Sequence, residues 1–393
     1  MSRCKKINVY VANHGKPDGI EDYLANFEYM FRQRGFDFQV SMELEKDAIN
    51  LVIDEFTNFA TNKQIAAFAA ARHDAPLVFV LTEFVENRRL VKSFNNFDGL
   101  EEAALLSLID CFLRSRRPDF EKSRPGDYWR LALYSPVLLF MAPKLLYGYL
   151  KALSGKQGEH KWTQAKEEFV REHLYRKLYM HGRYLGFETM IKHADAVIAC
   201  HKGIEDGYEK LRHEQPELPP SLGMFYLEFP ASKVNVMMLE HKENYIEMTG
   251  SITAYRKSEM NRINGLIRLL GLSASIGGIR SYGFGQAPSG DRRAAFSIHP
   301  PQVKSWPYCS PTRIYRALIV DRNIPILTKK YGQHPIEDLC MLMDESDCLA
   351  EMYEMMFMPD VLENFLDSRV RNYLEIANSG NDLLCKKLVA LCK

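Results

Sequence analysis

The sequence predicts an α/β protein made of two tandem Rossmann-like domains, each built around a parallel sheet. In the first third of the chain, short apolar runs alternate with longer amphipathic segments, which is the pattern of βαβ units. The alternation stops in a helical, heavily charged stretch and begins again near Tyr245. We therefore expect two parallel sheets that face a cleft, with a helical insertion in the first domain.

The first domain is predicted at residues 1–240, with the insertion at about 101–186. A proline-rich run at 215–220 ends its last predicted helix. Its strands are expected at 7–12, 36–42, 48–54, 76–81 and 194–200, and its helices at 19–35, 62–72 and 205–213.

The second domain is predicted at 241–360. The tail at 361–393 is expected to be helical, because its apolar residues recur near one helical face. The strand candidates of this domain are 245–248, 273–279, 294–298, 324–328 and 339–343, and a helix is expected at 257–270.

The composition excludes several classes of protein. The chain has 51 Lys and Arg against 50 Asp and Glu, so we expect no nucleic-acid partner that binds through overall charge. A hydrophobic content of 46% excludes wholesale disorder, because it supplies enough apolar material for cores.

The cysteines and the N-terminus predict a cytoplasmic protein. None of the eight cysteines forms a Cys-x-x-Cys pair, which argues against a zinc ribbon or a thioredoxin-like motif, and we expect no disulfide scaffold. The strand expected at 7–12 leaves no room for the apolar core of a signal peptide. A reducing compartment fits both features.

One aromatic segment has two interpretations. Residues 129–150 are rich in Leu, Tyr and Phe, but Arg130, Lys144 and two prolines interrupt them, so the segment is not expected to cross a bilayer. It fits a buried helical hairpin within the insertion. It also fits peripheral contact through 129–151 with the inner face of a membrane, because mixed aromatic and basic residues suit the headgroup region.

The most informative segment begins at Ser310. Ser310 followed by Pro311 predicts a helix start, and free backbone N–H groups at such a start attract anions. Arg313, with Lys329 or Lys330 after the next strand, fits convergence on a pyrophosphate. An ordinary capped helix with solvated basic residues fits the same pattern.

The predicted helix opens with Ser-Pro and Arg, and the strand after it ends in Pro-Ile. This pattern resembles the donor-binding half of glycosyltransferases with the two-Rossmann GT-B architecture. The segments 245–256 and 296–302 are similar to a strand and loops of the same half. The resemblance implies transfer of a sugar from a nucleotide-sugar to a glycan-type acceptor, for which a lipid-linked saccharide is one candidate. It also implies terminal helices that pack back on the first domain.

The candidates for donor binding lie in four segments of the second domain. The donor is a substrate, so no separate cofactor is expected. These donor-binding candidates are Ser251, Thr253, Arg256, His299, Ser310, Pro311, Thr312, Arg313 and Lys329.

One departure from the family pattern concerns the donor helix. Retaining members commonly carry a Glu where this chain has Arg316 and Ala317, so the usual donor-ribose contact is not expected here. The chain also lacks an Asp-x-Asp triplet, and His181, His193 and His201 do not follow metal-ligand spacing. The sequence therefore predicts a metal-independent reaction.

The catalytic candidates belong to the first domain. Ligands of open parallel sheets bind at the carboxyl ends of strands, and the loop 13–19 follows the first strand. His14 and Asp18 in this loop, with Glu83 after the fourth strand, are candidates for the general base. Asp18 before Gly19 also fits a turn, and a loop histidine also fits plain exposure.

Two other functions also fit the sequence. A non-catalytic sugar-nucleotide-binding or assembly protein fits the missing Glu of the donor helix. A sugar-nucleotide epimerase of the same architecture would need no acceptor. A nicotinamide-dependent dehydrogenase is disfavoured, because the first strand is not followed by a dinucleotide fingerprint.

Overall fold

The structure is a computed structural model, and it describes parts of both predicted domains. The insertion at 101–186 and the aromatic segment at 129–151 lie outside the described residues, apart from residue 186. The described residues are 5–14, 20–56, 59–71, 74–82, 186–230, 243–249, 254–269, 273, 277–282, 294–300, 309–321, 323–332, 334–343, 347–348, 350–351, 354 and 358–392.

The first sheet has six strands in the order β2-β1-β3-β4-β5-β6, and all of its pairings are parallel. All residues of β3 and β4 are buried, because their runs Ile-Asn-Leu-Val-Ile and Leu-Val-Phe-Val-Leu lie in the middle of a sheet with chain on both faces. The strands are β1 Lys6–Tyr10, β2 Asp37–Ser41, β3 Ile49–Ile53, β4 Leu77–Leu81, β5 Ala196–Ala199 and β6 Ser221–Met224.

Helices described beside this sheet include α1 Glu21–Gln33, α2 Phe59–Ala71 and α3 Lys202–Glu214. Helix α1 buries Tyr23, Phe27, Met30 and Phe31 along one face, as the helical period of its apolar residues requires. The ring of Phe27 lies 4.7 Å from that of Phe225, which follows β6.

The second sheet has five parallel strands in the order β11-β10-β9-β7-β8. In both sheets, the first strand lies between the second and the third. The elements are β7 Glu243–Thr249, α4 Ala254–Leu269, β8 Ile279–Tyr282, β9 Ala294–Ile298, α5 Pro311–Arg316, β10 Ile324–Leu327, β11 Met341–Leu342 and α6 Pro359–Ala390. A π-helical turn, Ala317–Asp321, extends α5, and a 3-10 helix, Pro335–Leu339, precedes β11.

The structure confirms the predicted α/β fold with two parallel sheets. Two details differ from the sequence-based assignment. The strand expected at 273–279 lies instead at Ile279–Tyr282, after Gly278, whose φ of 92° does not suit a regular strand. Strand β6 was not predicted. The GT-B architecture and the domain boundaries stay predictions.

Helix α6 is attached to the first sheet through a buried carboxylate. Glu228 follows β6, and its side chain is 2% exposed. Its oxygens accept hydrogen bonds from Arg34 at 2.7 and 2.9 Å and from Asn381 of α6 at 2.6 Å. Asn381 also exchanges two hydrogen bonds of 2.9 Å with the backbone of Tyr226. One network therefore joins the end of α1, the segment after β6 and α6.

The same helix also contacts the second sheet. The Arg369 guanidinium donates to the carbonyls of Asp338, at 3.0 Å, and Cys340, at 3.3 Å. One turn further along, the hydroxyl of Tyr373 donates to the carbonyl of Leu227 at 2.9 Å. Helix α6 therefore spans from the residues beside β11 to those after β6. Among the described residues, no helix is both long enough and apolar enough to span a bilayer.

We predict that Glu228→Gln lowers the free energy of unfolding by roughly 3–5 kcal/mol, because it breaks a buried ion pair and leaves Arg34 with the more exposed Asp382 carboxylate, at 2.7 Å, as a weaker counter-charge. Urea unfolding monitored by circular dichroism measures the change.

The matched control is Asp367→Asn. Asp367 pairs with Arg371 on α6 at 3.1 Å, but both side chains are at least 70% exposed. An exposed pair of this kind contributes no more than about 1 kcal/mol. Equal effects of the two substitutions would contradict the structural role of Glu228.

Candidate functional site

The candidate site is formed by the carboxyl edges of the two sheets. In open parallel sheets, ligands bind outside the carboxyl ends of the strands. The residues that follow β1, β3, β4 and β5 lie at this edge of the first sheet, and those that follow β9 and β10 lie at this edge of the second.

Polar residues follow three neighbouring strands of the first sheet. Asn13 follows β1, and its Nδ2 donates to the carbonyls of Ile53, at 2.6 Å, and Glu55, at 3.2 Å. Asp54 directly follows β3 and accepts a hydrogen bond from the hydroxyl of Thr82, which follows β4. Asn13, Asp54 and Glu55 are all buried. This edge therefore holds several oxygen acceptors on adjacent strands.

Among the three predicted catalytic residues, only His14 lies within the described residues. It is half-buried after β1, and its backbone N–H donates to the Val11 carbonyl at 3.0 Å. Asp18 and Glu83 lie outside the described part of the chain, and their predicted roles are untested.

On the second sheet, two predicted donor-binding residues lie close together. His299 follows β9, and its Nε2 lies 2.8 Å from the Ser297 hydroxyl. Burial lowers the pKa of His299 to about 4, so the ring is neutral near pH 7. Arg256, in the first turn of α4, is buried and donates from Nε to the Pro300 carbonyl at 3.1 Å. Arg256 therefore lies beside the loop that begins with His299.

Helix α5 begins where the sequence predicts. Ser310 is the N-cap and Pro311 the first helical residue, but the Ser310 side chain makes no capping hydrogen bond. Its hydroxyl instead lies 3.3 Å from that of Thr312. The helix then continues as the π-helical turn 317–321, an irregularity often found at functional sites.

The structure gives fewer contacts for the remaining donor-binding candidates. Arg313 is half-buried in the first turn of α5, and the ammonium of Lys329, after β10, lies 4.6 Å from the centre of the Tyr331 ring. Ser251 and Thr253 lie outside the described residues. Convergence of Arg313 and Lys329 on one anion stays a prediction.

The two carboxyl edges meet at a pair of buried histidines. His201, directly after Cys200 at the end of β5, is fully buried, and His334, after β10, is 4% exposed. Their ring centres lie 5.2 Å apart. Nε2 of His201 lies 3.8 Å from Sγ of Cys309, the residue before the N-cap of α5. We call His201, Cys309, His334 and Glu337 the junction cluster.

Each histidine of the junction cluster is also a helix cap. Nδ1 of His201 accepts the Gly203 N–H at 2.9 Å, and Nδ1 of His334 accepts the Ile336 N–H at 3.0 Å. Because Nδ1 is the acceptor, the neutral ring carries its proton on Nε2. His201 therefore donates from Nε2 toward Cys309, whose thiol stays protonated because burial raises its pKa well above the ordinary value.

The ligand atoms of His201, Cys309 and Glu337 lie within 4.8 Å of one another, close enough to hold a metal ion. The hydrogen bonds disfavour that use. A proton on Nε2 of His201 occupies the lone pair that a metal needs. The Glu337 carboxylate accepts backbone N–H groups of Tyr331, Gly332 and His334 at 2.8, 2.9 and 3.2 Å. The cluster therefore fits a hydrogen-bonded contact between the two edges better than a metal site.

Helices α1 and α5 also touch. The Arg316 guanidinium lies 3.5 Å from the Asp22 carboxylate. Burial raises the pKa of Asp22, and Arg316 offsets part of that shift. The Tyr315 ring of α5 lies 6.0 Å from that of Phe229, which follows β6. Arg316 therefore takes part in a contact between the two halves of the molecule.

Sequence reasoning missed the junction cluster and the acidic residues after β3. The strand-end rule that selected His14 also points to Asp54, because it follows the apolar run of β3, and to His201, because it follows that of β5. Nothing in the sequence shows that His201 meets Cys309, more than a hundred residues later.

Comparisons of the chain with protein-family models and with curated proteins found no match.

We predict that the junction cluster makes the fold acid-sensitive. The pKa of His201 is lowered to about 4 by burial, and that of His334 to about 3 by burial and by His201, from an ordinary 6.5. Below pH 6.5 the unfolded chain binds protons that the folded chain does not, so the free energy of unfolding falls as the pH is lowered toward 4. Urea unfolding at pH 7, 6 and 5 measures this slope.

The double variant His201→Asn with His334→Asn keeps a capping side chain at both positions and removes both titrating rings. We expect a shallower pH slope in this variant, whatever its absolute stability. The control His213→Gln changes an exposed histidine at the end of α3 and keeps the wild-type slope. An unchanged slope in the double variant would show that these rings do not titrate on unfolding.

Proposed function

We propose that the chain is a metal-independent glycosyltransferase with the GT-B architecture, which transfers a sugar from a nucleotide-sugar to a glycan-type acceptor. The observation that carries the proposal is the meeting of the two carboxyl edges at the junction cluster. Ligands of open parallel sheets bind at the carboxyl edge, so two carboxyl edges in contact would supply a donor side and an acceptor side.

The donor side is assigned to the second sheet. A nucleoside diphosphate carries its charge on the phosphates. At the start of α5 the N–H groups of Arg313 and Ile314 already donate to the Ser310 carbonyl, at 3.1 and 3.3 Å, whereas the Ser310 hydroxyl makes no capping hydrogen bond. The proposed phosphate contacts are therefore assigned to side chains of this segment. Arg313 lies one turn into the same helix, where a charge-assisted bond to a phosphate oxygen would stabilise the leaving diphosphate. Arg256, in the first turn of α4, and His299, after β9, complete the proposed donor site.

The acceptor side is assigned to the first sheet. Inverting transfer needs a base that takes the acceptor hydroxyl proton, and His14 lies at this edge, half-buried in a turn after β1. Helix α6 supports the same architecture, because it contacts both the residues beside β11 and those after β6. These contacts link the two halves of the molecule through one helix.

A non-catalytic sugar-nucleotide-binding protein is the second candidate, and Arg316 is the observation that favours it. The position of the family's ribose-binding Glu holds an arginine that contacts Asp22. A thermal-shift panel of UDP-, GDP-, ADP- and CMP-sugars, followed by assay of sugar release, tests both candidates. A ligand at 100 times its Kd stabilises the fold by about 2.7 kcal/mol. Stabilisation without transfer or hydrolysis would favour the binding protein, and no stabilisation by any member would contradict both.

We predict that Arg313→Ala weakens binding of the stabilising nucleotide-sugar and of its free nucleoside diphosphate by about tenfold or more, because a hydrogen bond to a charged group contributes roughly 1.5–3 kcal/mol. Isothermal titration calorimetry measures the affinity. The control is Arg371→Ala on the exposed face of α6, which should bind like the wild type. Equal affinity in all three proteins would remove Arg313 from the site.

We predict that His14→Ala lowers the turnover of transfer by about 10²–10⁴-fold while donor affinity changes little, because a general base acts on the chemical step. Steady-state kinetics with the donor found in the panel separates kcat from KM. Wild-type turnover in His14→Ala would move the role of base to Asp18 or Glu83.

A further inference from the structure

Asn13 holds its side-chain amide in one fixed orientation at the carboxyl end of β1. Its Nδ2 donates to the carbonyls of Ile53 and Glu55, at 2.6 and 3.2 Å. Rotating the amide by half a turn would place Oδ1 against these two carbonyl oxygens, which are both acceptors. The orientation of Oδ1 is therefore set by the backbone that follows β3.

The amide oxygen held in this way is buried and has no hydrogen-bond partner in the part of the chain that the structure describes. Asn13 as a whole is 4% exposed. Leaving a buried acceptor unpaired is unfavourable, and such atoms in a folded protein call for an explanation. An acceptor held in this orientation fits a ligand that brings a hydrogen-bond donor to it.

The surroundings of Asn13 indicate what that donor is. Strand β1 lies between β2 and β3, so the order in which successive strands join the sheet reverses beside β1. Open parallel sheets bind ligands at the carboxyl ends of the strands where this reversal occurs. The Asp54 carboxylate, next in the chain to Ile53, is oriented by the Thr82 hydroxyl. Amide and carboxylate oxygens on adjacent strands suit a ligand that offers hydrogen-bond donors, as neighbouring hydroxyl groups of a sugar do.

We propose that Asn13 and Asp54 bind hydroxyl groups of the acceptor sugar and so position it for transfer; the identification of this ligand as an acceptor rests on the proposed function. Asn13 is a specificity-determining residue in this assignment. Its fixed amide oxygen accepts from one hydroxyl, and a ligand that lacks a donor there leaves a buried oxygen unpaired.

The test uses the full chain and small glycosides as probes. Methyl glycosides of glucose, galactose, mannose and N-acetylglucosamine are titrated separately, and saturation-transfer NMR reports binding. We expect at least one glycoside to bind the wild type and to bind Asn13→Leu about tenfold more weakly, which corresponds to the loss of one well-placed hydrogen bond. Asp54→Asn, which keeps the side-chain shape, should also weaken binding, and it serves if Asn13→Leu does not fold.

The matched control is Asn323→Leu. Asn323 is also buried, and among the described residues both of its side-chain polar atoms lack a partner, but it precedes β10 and so lies at the opposite edge of the other sheet. This variant should bind glycosides like the wild type. No glycoside binding to the wild type, or equal binding by the folded Asn13 or Asp54 variants, would overturn the proposal.

Calorimetry with UDP, GDP, ADP and CMP separates this site from the proposed function. If a nucleotide binds and glycosides bind equally to wild type and Asn13→Leu, the acceptor site is wrong and the donor site stands. If glycosides bind in an Asn13-dependent way and no nucleotide binds, the sugar site stands and the transferase proposal fails.

Discussion

The buried carboxylate of Glu228 is the constraint on which the rest of the arrangement depends. A charge with a side chain 2% exposed must be paired, and its partners come from Arg34 at the end of α1 and from Asn381 in α6. All three segments therefore have to be in place together. Gly380 permits this approach, because a Cβ at that position would overlap the Tyr226 ring.

Anchoring α6 beside Glu228 also fixes the other half of the molecule. The earlier part of the same helix holds the carbonyls of Asp338 and Cys340, next to β11, through Arg369. The segment of α6 between these two attachments is a continuous helix. The two sheets therefore cannot move far apart unless one of the two attachments breaks. The junction cluster lies between the sheets and contributes a second contact, made through neutral histidines and a protonated thiol.

The sequence predicts those elements whose pattern of apolar residues matches their burial in the folded protein. The all-apolar runs of β3 and β4 predict buried parallel strands, and the structure confirms them. Strand β6, Ser-Leu-Gly-Met, has no such pattern, and it forms because β5 offers an edge to pair with. The same limit applies to the site. His14 follows a recognisable strand, whereas the contact of His201 with Cys309 depends on the packing of two sheets that no local spacing encodes.

We propose that a nucleotide-sugar binds between the two carboxyl edges. Hydrogen–deuterium exchange of the full chain, with and without a saturating nucleotide-sugar, tests it most directly because it reports which backbone segments a ligand protects. With the nucleotide-sugar bound, we expect slower exchange in peptides that cover 296–300 and 309–318. We also expect slower exchange at 199–205, across the junction cluster. Unchanged exchange in all of these peptides, or protection confined to the amino ends of the strands, would contradict it.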